Sequence, residues 1–146
     1  MASCADILNK AMAALEANEA LTDWCLAAFG RAPLIANYDD DQDPASKDDY
    51  PLLVLDVIDD GQANNGNTRT LEIDLDAAVE NGAVTLAGRK RIFEGRNQVE
   101  RLRELAVAAL FRAALGRVES VGGVLTFRFG DLWHSSSTLS VTNLKK

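Results

Sequence analysis

Cys4, Ile7, Leu8, Ala11 and Leu15 recur at helical spacing. Ser3 stands before them as an N-cap, and Asp6 completes a capping-box pattern three residues later. The spacing predicts an amphipathic helix of about 14 residues with one face turned inward. Leu21, Trp24, Cys25, Ala28 and Phe29 repeat the pattern. They predict a second, shorter helix, with Thr22 as its N-cap, Leu21 and Leu26 as a hydrophobic staple, and Gly30 as its stop.

The period then changes from helical to extended. Pro33 to Tyr38 reads as a short edge strand, where proline is tolerated. Leu52 to Ile58 (LLVLDVI) is apolar on both faces except at Asp56, which suits a central strand covered on both sides or nearly so. Leu71, Ile73, Leu75, Ala77 and Val79 alternate with Glu72, Asp74, Asp76, Ala78 and Glu80. That is a strand with one buried face and one acidic face in water. Asn81-Gly82 is a strong hairpin signal, because both central positions of a type I′ turn need positive φ. It predicts a hairpin over residues 71–93.

The longest helix is expected after Gly95. Its stripe is Val99, Leu102, Ala106, Ala109, Leu110 and Ala113, widened by Leu105 and Phe111, and Gly116 ends it. Val118 to Phe129 and Ser135 to Val141, with Gly130-Asp131 between them, predict a closing antiparallel pair. The expected fold is α+β in one domain, residues 1–146. An antiparallel-rich sheet carries the N-terminal helix and the long later helix on one face, with a long β-hairpin besides. The segments 39–49 and 59–68 are expected to be flexible polar loops.

Charge adds what periodicity cannot. The chain has 146 residues, 22 acids and 15 bases, for a net charge of −7. Residues 1–88 hold a net −13 and residues 89–146 a net +6. The acidic total argues against bulk nucleic-acid binding. Arg89, Lys90, Arg91, Arg96, Arg101 and Arg103 form a basic stretch with few aromatic partners, so sequence-specific nucleic-acid recognition is not expected. Asp39, Asp40, Asp41 and Asp43, with Asp74 and Asp76, supply the opposite sign. An acidic and a basic region on one chain suit head-to-tail self-association, in which one subunit's patch meets a different patch on the next.

No signature of catalysis stands out. The sequence has no GxSxG, P-loop, GxGxxG or HExxH. His134 lies near Asp131 and Ser135, but neighbours on a strand point to opposite faces, so proximity in sequence does not build a triad. Asp39, Asp41 and Asp43 match positions 1, 3 and 5 of an EF-hand loop. Pro44 and Tyr50 stand where that loop needs Gly and Glu. Cys4 and Cys25 have no zinc spacing and read as buried free thiols of a reducing cytoplasm. No signal peptide is expected, because Asp6, Asn9 and Lys10 interrupt the first ten residues. No apolar run approaches the roughly 18–20 residues of a membrane span. No catalytic residue, metal or cofactor is expected.

The order of these segments resembles that of bacteriophage tail terminator proteins, also called tail completion proteins, of long-tailed phages. Tyr50-Pro51 opens LLVLDVI, the polar loop 59–68 follows, then TLEIDL, then VERLRELAVAALFRAAL, and finally TLSVTNL. The acidic insert before Tyr50 and the extended Asn81-Gly82 hairpin depart from the family pattern. The resemblance implies a non-catalytic virion protein, assembled in the host bacterial cytoplasm. It would form a ring, a hexamer in that family, at the head-proximal end of the tail. The ring would end tail-tube polymerisation and face the head connector, so the implied partners are the chain itself, the tail-tube protein and the connector or head-completion protein. Two rival expectations stand beside it. One is a head-completion or connector protein of the phage neck. The other is a small metal-dependent or hydrolytic enzyme using the 39–49 aspartates or His134.

Overall fold

The computed structural model describes residues 4–38, 49–62 and 68–144. Helix α1 spans Cys4–Ala17 and α2 spans Glu19–Phe29. Strand β1 (Leu34–Ala36) leads to β2 (Leu52–Gln62) and β3 (Thr68–Glu80). Two short strands follow, β4 (Val84–Ala87) and β5 (Lys90–Phe93). Helix α3 (Glu94–Arg112) precedes the closing pair β6 (Arg117–Phe129) and β7 (Leu132–Leu144). The main sheet has the order β1-β2-β3-β7-β6. Only the short β1 is parallel to its neighbour, so the fold is α+β with an antiparallel-rich sheet, as the periodicity predicts.

Alternation decides which side of the sheet is buried. Leu53 and Leu55 of β2, Leu71, Ile73, Leu75, Ala77 and Val79 of β3, and Leu139 and Val141 of β7 face the helices. They pack with Ile7, Ala11 and Leu15 of α1, Leu21 and Cys25 of α2, and Val99, Leu102, Ala106 and Leu110 of α3. All these side chains are essentially inaccessible to water, so truncating one of the leucines to alanine costs about 2–5 kcal/mol. A second, small cluster lies on the other side, where Leu52, Val54 and Ala78 pack with Ala36 and Tyr50. Among the described residues, no helical residue joins that cluster.

Several local expectations need correction. The second helix begins earlier than Thr22: Asn18 is its N-cap, and Asn18 Oδ1 accepts from Leu21 N–H at 2.9 Å. An asparagine side chain at the cap outcompetes a threonine that continued helix can absorb. Gly30 stops this helix in the left-handed region, φ 75°, as expected. Asp59 to Gln62 belong to β2 rather than to a loop, with a bulge between Val57 and Asp59. Gly95 lies inside the first turn of α3, and α3 ends at Arg112 rather than at Gly116. Phe111 is exposed and does not widen the apolar stripe. Thr68 opens β3, and residues 63–67 of that loop, the Ser3 cap and all but the last residue of the 39–49 segment lie outside the described residues.

The 71–93 hairpin does not form with Asn81-Gly82 as its turn. β3 is a central strand whose two edges are taken by β2 and β7. It therefore cannot pair with the segment that follows it. Asn81 instead turns the chain out of the sheet. Its N–H donates to Asp131 O, and its Oδ1 accepts from Ala83 N–H. The hairpin is β4–β5, closed by Gly88-Arg89. Gly88 has φ 63° and Arg89 does not enter the positive region. That suits a two-residue turn with glycine first. The longer hairpin of the fold is β6–β7.

Candidate self-association surfaces

The β4–β5 hairpin is an arm. Every described residue from Gly82 to Arg91 is exposed. Its base is fixed on the helix side of the sheet, where Glu94 N–H donates to Ala83 O and Phe93 packs 5.9 Å from Trp133, ring centre to ring centre. Directly opposed residues of a two-stranded ribbon share a face. Leu86 is opposite Arg91, and Val84 is opposite Phe93, so one face carries all four. Leu86 is 73% exposed, unusual for a leucine that nothing covers. Arg91 lies over the Phe93 ring at 5.4 Å. Among the described residues, no carboxylate pairs with Arg89 or Lys90.

The remaining bases of the predicted stretch do not join the arm in one patch. Arg96 pairs with Glu100 at 3.3 Å and Arg101 with Glu104 at 3.7 Å, both along α3. Arg103 turns to the sheet. Its Nε donates to Ser135 Oγ at 3.0 Å and its Nη1 to Ser137 Oγ at 3.3 Å. Both serines are buried on the helix-facing side, where this guanidinium donates to both hydroxyls and Thr126 Oγ1 also lies 3.0 Å from Ser135 Oγ. Arg103 is thus engaged within its own fold, apart from the bases of the arm.

The acidic surface is the sheet's other face. Asp76 and Asp74 project there from β3, and Asp56, directly opposite Asp74, projects from β2. With Val54, Phe127 and Ser136 they line a hollow of about 250 Å³. Like charges placed opposite one another across two strands repel. Burial first, then the Asp76 and Asp56 carboxylates, push the Asp74 carboxyl above its usual range. Asp76 Oδ2 is 3.0 Å from His134 Nδ1. Asp76 Oδ1 is buried without a hydrogen-bond partner among the described residues. The His134 ring stacks on Phe127, with centres 5.0 Å apart and planes 5° apart.

His134 thus meets Asp76, not Asp131, and no hydrogen bond joins it to a serine among the described residues. Ser135 and Ser137 point to the opposite side of the sheet, toward Arg103. Among the described residues, no three His, Cys, Asp or Glu side chains are grouped so as to hold a metal ion. Asp39, Asp40, Asp41 and Asp43 lie outside the described residues. No described helix is long and apolar enough to cross a membrane.

Sequence reasoning missed Asp56, Phe127 and the Asp76–His134 pair. Asp56 had a signal, as the one charge interrupting an apolar strand. The pair had none, because 58 positions separate its members.

The chain matches no family model and no curated protein.

Proposed function

We propose that this chain is a structural assembly protein of the phage tail-terminator type, built to bind another copy of itself head to tail. The observation that carries the reading is the segregation of charge on the folded chain. Arg89 and Lys90, which have no carboxylate partner among the described residues, stand on a projecting arm, while Asp56, Asp74 and Asp76 crowd the outer face of the sheet. Unlike patches on one molecule make heterologous contacts, which close into rings when the rotation between copies permits. Opposite potentials steer such contacts and suppress wrong ones. The order of elements supports the same reading: an amphipathic helix, a strand behind Tyr50-Pro51, a second strand, a long helix and a closing pair.

In this reading the work lies in matched surfaces rather than in bond-making. The ring sits at the head-proximal end of the tail, ends growth of the tail tube and presents a surface to the head connector. The chain is made in the bacterial cytoplasm and ends in the virion.

The test is electron microscopy of the full chain added to polymerising tail-tube protein. The expected result is rings on tube ends and arrested tubes. Capture by portal or connector complexes, with tube ends left bare, contradicts the terminator station and favours a neck protein.

A further inference from the structure

The outer face of the sheet is acidic at its centre and apolar at one edge. Val54, Asp76, Ser136 and Leu125 form one cross-strand row over β2, β3, β7 and β6. Strands lie about 4.8 Å apart, so the Asp76 and Leu125 backbones are separated by roughly 10 Å. β6 is an edge strand, and Leu125 and Phe129 on this face are 61% and 69% exposed. An exposed apolar edge strand is a place where another chain docks.

The arm carries the complement on a matching scale. Leu86 and Arg91 are directly opposite on one face of the ribbon, with Arg89 in the adjoining turn. An arginine side chain reaches several ångströms beyond its backbone, so a leucine and a guanidinium on this ribbon span the distance from the apolar edge to the acids. The arm cannot reach its own outer face. Its base is tied to the helix side through Ala83, Glu94 and the Phe93–Trp133 contact. Its match is therefore on another copy.

We infer that the β4–β5 arm of one copy lies across the outer sheet face of the next, with Arg91 directed to Asp74 and Asp76 and Leu86 seated on Leu125 and Phe129. A guanidinium over the hollow meets the carboxylates of Asp56, Asp74 and Asp76 that line it, and charge-assisted bonds of this kind are the stronger ones. Such a contact is heterologous, and each copy uses its arm once and its face once. The inference rests on the reading of the chain as a self-assembling protein, and it names the surfaces.

The test mixes two populations of the full chain, both carrying Cys4→Ser. One carries Leu86→Cys and the other Leu125→Cys. Under mild oxidation the mixture gives disulfide-linked dimers of the two, and neither population links with itself. Adding Arg91→Glu to the Leu86→Cys population lowers the yield about tenfold or more, as like charges then meet across the contact. If the chain forms rings yet the mixture does not link, or links equally well with Arg91→Glu, this docking is overturned and the assembly reading stands. If the chain remains monomeric both alone and on tail-tube ends, both are overturned.

Discussion

Asp76 Oδ2 lies 3.0 Å from His134 Nδ1, while the other oxygen of the same carboxylate is buried with no hydrogen-bond partner among the described residues. Against an ionised carboxylate the ring presents Nδ1–H, and Phe127 covers one of its faces. His134→Ala removes both contacts and leaves Asp76 with neither oxygen bonded to a side chain. Leaving a part-buried carboxylate unsatisfied costs about 1–3 kcal/mol. Urea unfolding at neutral pH checks this through a lowered midpoint with an unchanged slope.

The neighbouring Asp74 carries a strain of opposite consequence. Its carboxyl is raised above the usual value of 3.8 by burial, then by Asp76 and Asp56. A raised acid binds more protons folded than unfolded, so stability falls as pH climbs from the unfolded value through the folded one. The ionised Asp74 is thus a cost at neutral pH and none below about pH 3.8. Asp74→Asn is expected to stabilise the isolated chain at pH 7 by a few tenths to about 1 kcal/mol. The gain shrinks toward zero at acid pH, which thermal melts across a pH series would show. A residue whose charge weakens its own fold is well explained by a charge it meets elsewhere.

How much of this was legible in the sequence depended on the range of the interaction. α1, the Gly30 stop, β1 and the alternation of Glu72, Asp74 and Asp76 are local, and local spacing revealed them. The Asn81-Gly82 signal failed because it is also local. It proposed a turn without knowing that β2 and β7 occupy both edges of β3. The bonds of Arg103 were equally hidden: the sequence shows it only as one of a basic stretch, and the fold brings Ser135 and Ser137 beside it. The acidic hollow needed the register of β2 on β3 and of β7 on β3, which alternation within each strand does not encode.

Gly95 shows the same dependence on distant packing. A Cβ there would collide with the Trp133 ring and lie 2.7 Å from Asn81 O. The backbone carbonyl cannot swing aside, and Trp133 is held beneath Phe93 and Arg128. Gly95→Ala is therefore expected to destabilise by about 1–3 kcal/mol, although alanine is the better helix former. Calorimetry would register it as a lowered Tm.

The two thiols differ sharply. Cys25 is fully inaccessible, and burial pushes its thiol up to about 12. Cys4 is partly exposed. The folded chain should take up one equivalent of an alkylating reagent, at Cys4, and a second only after denaturation. Peptide mass spectrometry distinguishes the two sites.

The arm and the α3 surface make different predictions for assembly. Arg89, Lys90 and Arg91 stand on the arm, whereas Arg96 and Arg101 already have partners on their own helix. Reversing the three arm charges is expected to raise the concentration for half-assembly about tenfold or more, and reversing Arg96 and Arg101 to change it far less. Native mass measurements on the two variants check this.

The most direct measurement is sedimentation velocity of the full chain over a concentration series, at low and at high salt. The account predicts a closed oligomer at low salt that retreats toward monomer as salt screens the contact, and a retreat at low salt for the arm variant. A monomer at every salt and concentration, or an oligomer indifferent to both salt and arm charge, would contradict charge-driven self-association.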